Sequence, residues 1–453
     1  MYPKHIIEQV LQSIDIVQVV SSYCELKESG TDRYRGLCPF HAEKTPSFFV
    51  SKSKQMFHCF GCGKGGDAIT FLQEINGLTF TEALEMLAER AGIKLPKPTY
   101  GSGQGQTTQE DSKKQLYALY SQAVNFYRNQ LNNTLTGKIA QDYLKKRNIS
   151  PQIQNEFGLG YAPADGEALY RFLKSQGFSD ALIIRSGLVR QSYKENKYYD
   201  FFRNRIIFPI RSIDGKVVSF GGREITGKEE PKYINLPETE LYKKSRILYG
   251  LWEGKETIRN KKYVVLVEGY MDLLRCFQCG IRNVVATCGT ALTPDQANLI
   301  RRFSSEVIIV YDADPAGINA ALRATGILLQ AGLSTKGVVL PAGKDPDEFL
   351  QAHSVEEWNE LIENAPSFFT FYIQQSKERM TDPRGKVNIL TELFRLISMV
   401  NENSLKEEYL REIANELKIS YWAIFSDYEQ FLRNNYRVTT GITPETKDEL
   451  SRE

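Results

Sequence analysis

From residue 262 to 345 the sequence alternates β-branched runs with helical stretches: KKYVVLVEG, MDLLRCFQCG, NVVAT, TPDQANLIRRF, EVIIVYDAD, NAALRATGILLQAG and STKGVVLP. That alternation argues for a parallel sheet, whose strands all end on one edge. In open α/β folds this edge is where sites are built. Three of the strands run into acids there. VLVEGYMD ends in Glu268 and Asp272, VIIVYDADPAG carries Asp312 and Asp314, and KDPDE, after GVVLP, supplies Asp345 and Asp347. Asp312 and Asp314 stand two apart, as do Asp345 and Asp347, so in extended chain each pair points to one side. One acid at a strand end is often a helix cap; three acidic strand ends in one sheet point to chemistry. Carboxylates packed together raise one another's pKa unless a cation sits among them. Oxygen-only ligands favour Mg²⁺ or Mn²⁺, and such ions serve phosphoryl transfer by clamping the attacking and leaving oxygens. Glu268, Asp312, Asp314, Asp345 and Asp347 are therefore candidate ligands for two or more ions.

A second cluster lies near the N-terminus. CPFH and CFGC give Cys38-x2-His41 and, after 17 intervening residues, Cys59-x2-Cys62. Two close pairs a β-hairpin apart fit one tetrahedral Cys3His zinc site. Four protein ligands close the site and make it structural. His58 competes for the fourth position but breaks the paired spacing. PSFFVS and KQMFHC between the pairs read as alternating aromatic strands.

The 453 residues are 42% hydrophobic and 25% charged, ordinary for globular domains. No apolar run approaches the roughly 18 residues of a membrane span, and MYPKHIIEQVLQS is an amphipathic helix pattern, so a cytoplasmic protein without membrane attachment is expected. Seven cysteines, at 24, 38, 59, 62, 276, 279 and 288, suit metal or core positions better than disulfides. The net charge of +2 hides an asymmetry: residues 190–262 carry 17 Lys+Arg against 10 Asp+Glu, a surplus that suits a face for a polyanion. PKPTYGSGQGQTTQEDS, residues 96–112, reads as a flexible linker. Residues 113–150 have helical spacing, FFRNRIIFPIRS and KVVSFGGRE read as strands joined at Asp214-Gly215, and 350–432 is helical.

EGYMD, DAD and DPDE together resemble the Toprim domain of bacterial primases, topoisomerases and some nucleases. CPFHAEKTPSFFV…HCFGCGKGGD resembles the zinc ribbon of bacterial primases, and RNRIIFPI, SFGGRE and PKYINLPETELYKKS resemble their basic polymerase subdomain. In that order they mark the chain as similar to bacterial replicative DNA primases over about residues 1–430. The resemblance implies a multidomain α/β and α+β protein: a zinc ribbon at 1–95, the linker at 96–112, a basic α+β subdomain at 113–260, a Toprim parallel-sheet domain at 261–345, a helical subdomain at 346–433 and a mobile tail at 434–453. It implies short RNA primers made on single-stranded DNA from ribonucleoside triphosphates, at the nucleoid. Asp312, Asp314, Asp345 and Asp347 would hold the metals. Glu268 would assist proton movement or bind metal, and Asp272 would support them. Arg147, Arg223, Lys232, Tyr233, Asn235 and Lys244 would contact nucleotide, and Arg203 and Arg205 would lie near the template. Phe48, Phe49, Phe57 and Phe60 would help the ribbon hold template or would be core, with most expected in the core. Relatives dock on the replicative helicase through a further helical domain. The chain ends too soon for it, so that domain is expected to be absent and the protein to be a monomer.

Several lookalikes fall away. GREITGKE nearly spells a phosphate loop, but Glu229 stands where Ser or Thr must bind Mg²⁺. Gly101, Gly103 and Gly105 follow no strand. CFQC (Cys276, Cys279) lies on an apolar helix, and Cys288 stands where an aliphatic residue is expected. A Toprim-type metal-dependent nuclease is the alternative; it would need the acids but not the basic elements.

Overall fold

A computed structural model describes residues 4–41, 43, 45–76, 78, 80–93, 95, 107–192, 197–227, 230–289, 291–312, 314–341 and 345–440. The chain forms two compact units, residues 1–111 and 112–453.

In the first unit five short strands form an antiparallel sheet in sequential order: β1 (Lys27–Glu28), β2 (Arg33–Gly36), β3 (Phe48–Ser51), β4 (Met56–Cys59) and β5 (Gly65–Gly66). The period of two sorts its faces. Phe48, Val50, Phe57 and Cys59 are buried, while Met56 and His58 are exposed. The Phe48 and Phe57 rings stack at 5.4 Å, and Phe71, from the helix Ala68–Asn76, meets Phe57 edge-on at 5.4 Å. Two of the four ribbon phenylalanines are thus core. Phe60 is 73% exposed, with Phe49 against it.

The second unit begins within the helix Thr107–Asn133, which buries Leu116, Leu119, Tyr120, Ala123 and Tyr127 at helical spacing. Residues 107–112, expected in the linker, are therefore helical. Thr107-x-x-Glu110 is a helix-start pattern that outweighs the neighbouring Gly and Ser; residues 96–106, with Gly101, Gly103 and Gly105, lie outside the described residues. An antiparallel sheet follows, in the order β11 (Tyr233–Asn235), β10 (Val217–Glu224), β9 (Arg205–Arg211), β6 (Gly160–Ala162), beside a two-stranded ribbon of β7 (Val189–Ser192) and β8 (Lys197–Asp200). Proline cannot donate to a ladder. Pro209 is tolerated in β9 because β6 pairs only with residues 205–207, leaving Pro209 one neighbour, β10.

The expected parallel sheet is present. Its order is β13 (Val284–Ala286), β12 (Tyr263–Val267), β14 (Glu306–Val310), β15 (Ser334–Val338), with every pairing parallel. After β12 the chain passes to β13 on one side, then crosses to β14 and β15 on the other. The order thus reverses between β12 and β14, and a crevice opens beyond their C-terminal ends. The helices Phe368–Gln375, Pro383–Ser398 and Asn403–Leu417 pack their apolar faces into the core shared with β12 and β14. The final helix runs from Tyr421 to Thr440, so residues 434–440 belong to it rather than to a tail; residues 441–453 lie outside the described residues. Among the described residues no helix is long and apolar enough to cross a membrane.

Candidate functional site

The thiol and imidazole cluster is assembled by local turns. Cys59 ends β4, and Cys38 follows β2 by two residues. The ligand atoms of Cys38, His41, Cys59 and Cys62 all lie within 4.8 Å of one another. Cys38 Sγ stands 3.8 Å from Cys62 Sγ, and Cys59 Sγ 3.9 Å from His41 Nδ1. A tetrahedron with Zn–S bonds of about 2.3 Å separates its sulfurs by about 3.8 Å, so the donors fit a structural zinc ion. His58 is not the fourth donor: it lies on the exposed face of β4, its ring 4.6 Å from that of Phe60. Burial opposes the Cys59 thiolate, but donors from Ser47 and the Cys62 amide outweigh it and bring the thiol down to about 7.

The acidic edge is looser. Glu268 directly follows β12 and Asp312 follows β14, so the crevice at the strand-order reversal lies between them. Glu268 Oε1 accepts a 3.4 Å bond from the Asp312 amide. The chain beyond Glu268 is held by Cys288, whose backbone at φ +52° donates to Glu268 O (3.1 Å) and accepts from Asn235 Nδ2 (2.9 Å). Asp314 caps the helix Pro315–Gln330 and Asp345 caps Pro346–Ala352, each spending one oxygen on an amide at 2.7 Å. Gly317 lets the first of these helices approach, since a Cβ there would fall 2.1 Å from Asp312 O. Burial first, then Asp312, raises the Glu268 carboxyl; burial, then Asp345 and Asp314, raises that of Asp312. Asp272 caps its own helix through the Gly269 amide, and burial followed by Asp345, Asp312 and Asp347 pushes it up to about 7. Mutual repulsion of this kind is what a divalent cation among the acids would relieve. Among the described residues no three of these acids pack as closely as the Cys3His group.

Asp347 differs from the other acids. It is 2% exposed, Oδ1 accepts from Arg275 Nε (2.8 Å) and Gln351 Nε2 (3.0 Å), and Oδ2 pairs with Arg147 Nη1 (3.2 Å). Arg275, itself buried, also donates to Arg147 O at 2.6 Å. It thereby ties the acidic edge to the turn that presents Arg147. Sequence reading missed Arg275; its only signal was one cation on an otherwise apolar stretch, LLRCF.

The basic half reaches the same edge. Arg223 lies between the Tyr143 and Tyr233 rings (5.4 and 5.0 Å) and donates to Tyr233 Oη. Asn235 accepts from Tyr270 Oη at 2.7 Å, and Lys244 Nζ lies 3.4 Å from Gly289 O. Lys232 and Arg203 are exposed. Arg205 is buried and spends Nη1 on Pro231 O and Lys232 O, so it holds the PKYIN strand in place. In the phosphate-loop lookalike the amides of Thr226 and Gly227 point at Glu224 (2.6 and 2.7 Å), leaving no cradle there; Lys228 and Glu229 lie outside the described residues. Cys276 and Cys279 are free thiols, the first fully buried.

Comparison with known proteins agrees with this layout. Family models match for the CHC2 zinc finger (residues 2–102), the DNA primase catalytic core, N-terminal domain (126–255), a Toprim-like domain (265–350) and the DnaB-helicase binding domain of primase (369–420). The last overturns the expectation that the docking domain is absent. It falls on the helices Phe368–Gln375, Pro383–Ser398 and Asn403–Leu417, which the sequence revealed only as core-forming periodicity. A surface that faces a partner leaves no such periodic mark. The DNA primase of Halalkalibacterium halodurans is 36% identical over 97% of this chain and 74% of its own length. That of Aquifex aeolicus is 42% identical over 83% of this chain and 72% of its own. The crystal structure of the Aquifex aeolicus primase zinc-binding and RNA polymerase domains aligns over 92% of this chain and 98% of that one, with a TM-score of 0.62 at 37% identity. A DnaG primase catalytic domain bound to single-stranded DNA aligns over 68% and 98%, with a TM-score of 0.60 at 32% identity. The family models fall in the order zinc finger, catalytic core, Toprim-like domain and helicase-binding domain, as the zinc cluster, basic half, parallel sheet and helical segment do in the structure, and the chain belongs to the bacterial DNA primase family.

Proposed function

We propose that the acidic edge of the parallel sheet is the nucleotidyl-transfer centre of a primase. The protein makes short RNA primers on single-stranded DNA, joining ribonucleoside triphosphates with release of pyrophosphate. The observation that carries this assignment is the meeting of Glu268 and Asp312 at the strand-order reversal, with Arg147, Arg223 and Tyr233 brought to the same edge.

Asp312, Asp314 and Asp345, with Glu268, are the side chains to hold two or more Mg²⁺ or Mn²⁺ ions, which when bound supply charge neutralisation at the α-phosphate. Asp347 acts through Arg275 and Arg147, because both its oxygens are already engaged. Glu268 Oε2, its carboxyl raised by burial and by Asp312, takes the proton of the attacking 3′-hydroxyl. Asp272 supports the edge from beneath. Arg147, Arg223, Lys232 and Lys244 bind the triphosphate, a role that needs charge rather than sequence readout. Tyr233 and Asn235 fix the nucleotide side of the crevice, Arg203 faces the template, and Arg205 keeps the strand beneath it in register. Cys38, His41, Cys59 and Cys62 hold the zinc of the ribbon, whose exposed Phe60 stacks on template bases. Residues 369–420 dock on the replicative helicase, and the site of action is the cytoplasmic nucleoid. The nuclease reading is not favoured: it gives no role to the basic half.

Incubation with single-stranded DNA, ribonucleoside triphosphates and Mg²⁺ tests the proposal. Short RNA from the parent and none from Glu268→Gln is the expected result. Cleaved DNA in place of RNA would reverse the assignment.

A further inference from the structure

The zinc cluster has a partner that its spacing does not announce. Glu43 lies between the cysteine–histidine pairs, and its carboxylate gathers both halves of the site. Oε1 accepts from the Cys38 amide at 2.8 Å and from the Ser47 amide at 2.9 Å. Oε2 accepts from Ser47 Oγ and lies 3.2 Å from His41 Nε2. Ser47 Oγ is in turn 3.2 Å from Cys59 Sγ. His41 therefore turns Nδ1 toward the thiols and Nε2 toward a carboxylate. A metal-bound imidazole whose second nitrogen faces a carboxylate is fixed in tautomer and orientation, and its basicity rises. The packing leaves room for this arrangement only without a side chain at residue 61. A Cβ on Gly61 would lie 2.7 Å from His41 Nε2 and 2.8 Å from Ser47 Oγ.

We propose that Glu43 is a positioning residue of the zinc site: it fixes His41 with Nδ1 as the ligand atom and Nε2 protonated, and it pins the Cys38 backbone and Ser47 around the same ion. The proposal rests on the zinc reading of the Cys3His cluster. Glu43 does not itself ligate. It sets how tightly and for how long the ribbon keeps its metal.

The test uses the full chain loaded with zinc and titrated with a chromophoric chelator, together with a Co²⁺-substituted sample. Glu43→Gln keeps the size of the side chain but removes its charge and one of the two acceptor oxygens, so either the Cys38 and Ser47 amides or His41 Nε2 must face an NH₂ group. Zinc affinity is expected to fall about 10- to 100-fold, while the Co²⁺ spectrum keeps the bands of tetrahedral three-sulfur, one-nitrogen ligation. Glu74→Gln serves as the control and should leave affinity unchanged, because among the described residues Glu74 pairs only with Lys64, on the unit's surface. A Glu43→Gln affinity within twofold of the parent would overturn the proposal. So would loss of the Co²⁺ bands in that variant, because Glu43 would then hold the fold rather than the ring. A parent that binds no stoichiometric zinc would remove the zinc reading along with it.

Discussion

The two clusters of ionisable side chains in this chain are built in opposite ways. The Cys3His cluster is local: its donors come from two four-residue segments, and their atoms lie within 4.8 Å of one another. Thiols and imidazole can be packed that closely without charge. The acidic edge is assembled from strand ends far apart in sequence. Its members keep their distance because ionised carboxylates repel, and two of them, Asp314 and Asp345, are held as helix caps. The first arrangement suits an ion that stays, the second ions that arrive with substrate. The acid that is packed tightly, Asp347, has been given its cations by the protein.

That contrast can be broken at its strongest point first. Arg275→Met leaves Asp347 buried with its best partner gone, and removing one member of a buried pair costs about 3–5 kcal/mol. Urea unfolding should show that loss in the larger unit, with zinc content unchanged. A loss below about 1 kcal/mol would mean that Arg147 alone satisfies Asp347. Asp312→Ala should lower primer synthesis by about 10²–10³-fold, the usual scale for removing one electrostatic element of a transition state, with near-parent stability. Phe60→Ala sharpens the comparison from the zinc side. A stacking aromatic is worth about 1–3 kcal/mol per base, so single-stranded DNA affinity should fall by about tenfold or more, and the unfolding midpoint should stay put because Phe60 is 73% exposed.

A further effect is one of pH. Burial is the main cause that lifts both Asp272 and Asp200 to about 7. A carboxyl raised by folding favours the protonated form, so its stabilisation is full below about pH 4 and is lost as pH rises through about 7. Without divalent metal, stability should decline between about pH 4 and 7. Asp272→Asn should remove one part of that slope, and Mg²⁺ should remove the same part, since a cation at the edge lets Asp272 ionise. The part due to Asp200 should ignore Mg²⁺. Asp200 sits away from the acids, accepting from the Leu169 and Tyr170 amides at 2.8 and 3.0 Å.

What could be read from sequence follows the same division. Cys38, His41, Cys59 and Cys62 were legible because metal geometry constrains short spacings, and Glu268 and Asp312 because a β-branched run that ends in an acid marks a strand end. The parallel sheet was legible from alternation alone. Arg275 and Glu43 were not, since their partners are fixed by packing rather than by spacing. Arg205 looked like a groove cation and proved to be a brace, because a cation's partner is set by which strand lies beside it. The helicase-binding segment left only helical periodicity. Residues 107–112 and 434–440 were assigned by composition, yet the chain is helical there.

The most direct test of the account is a Mn²⁺ titration of the zinc-loaded protein, followed by electron paramagnetic resonance, for the parent and Asp312→Ala. The account predicts two or more Mn²⁺ sites in the parent, weakened binding in the variant, and one zinc per chain in both. Unchanged Mn²⁺ binding in Asp312→Ala, or loss of its zinc, would contradict the separation of a closed structural site from an open catalytic edge.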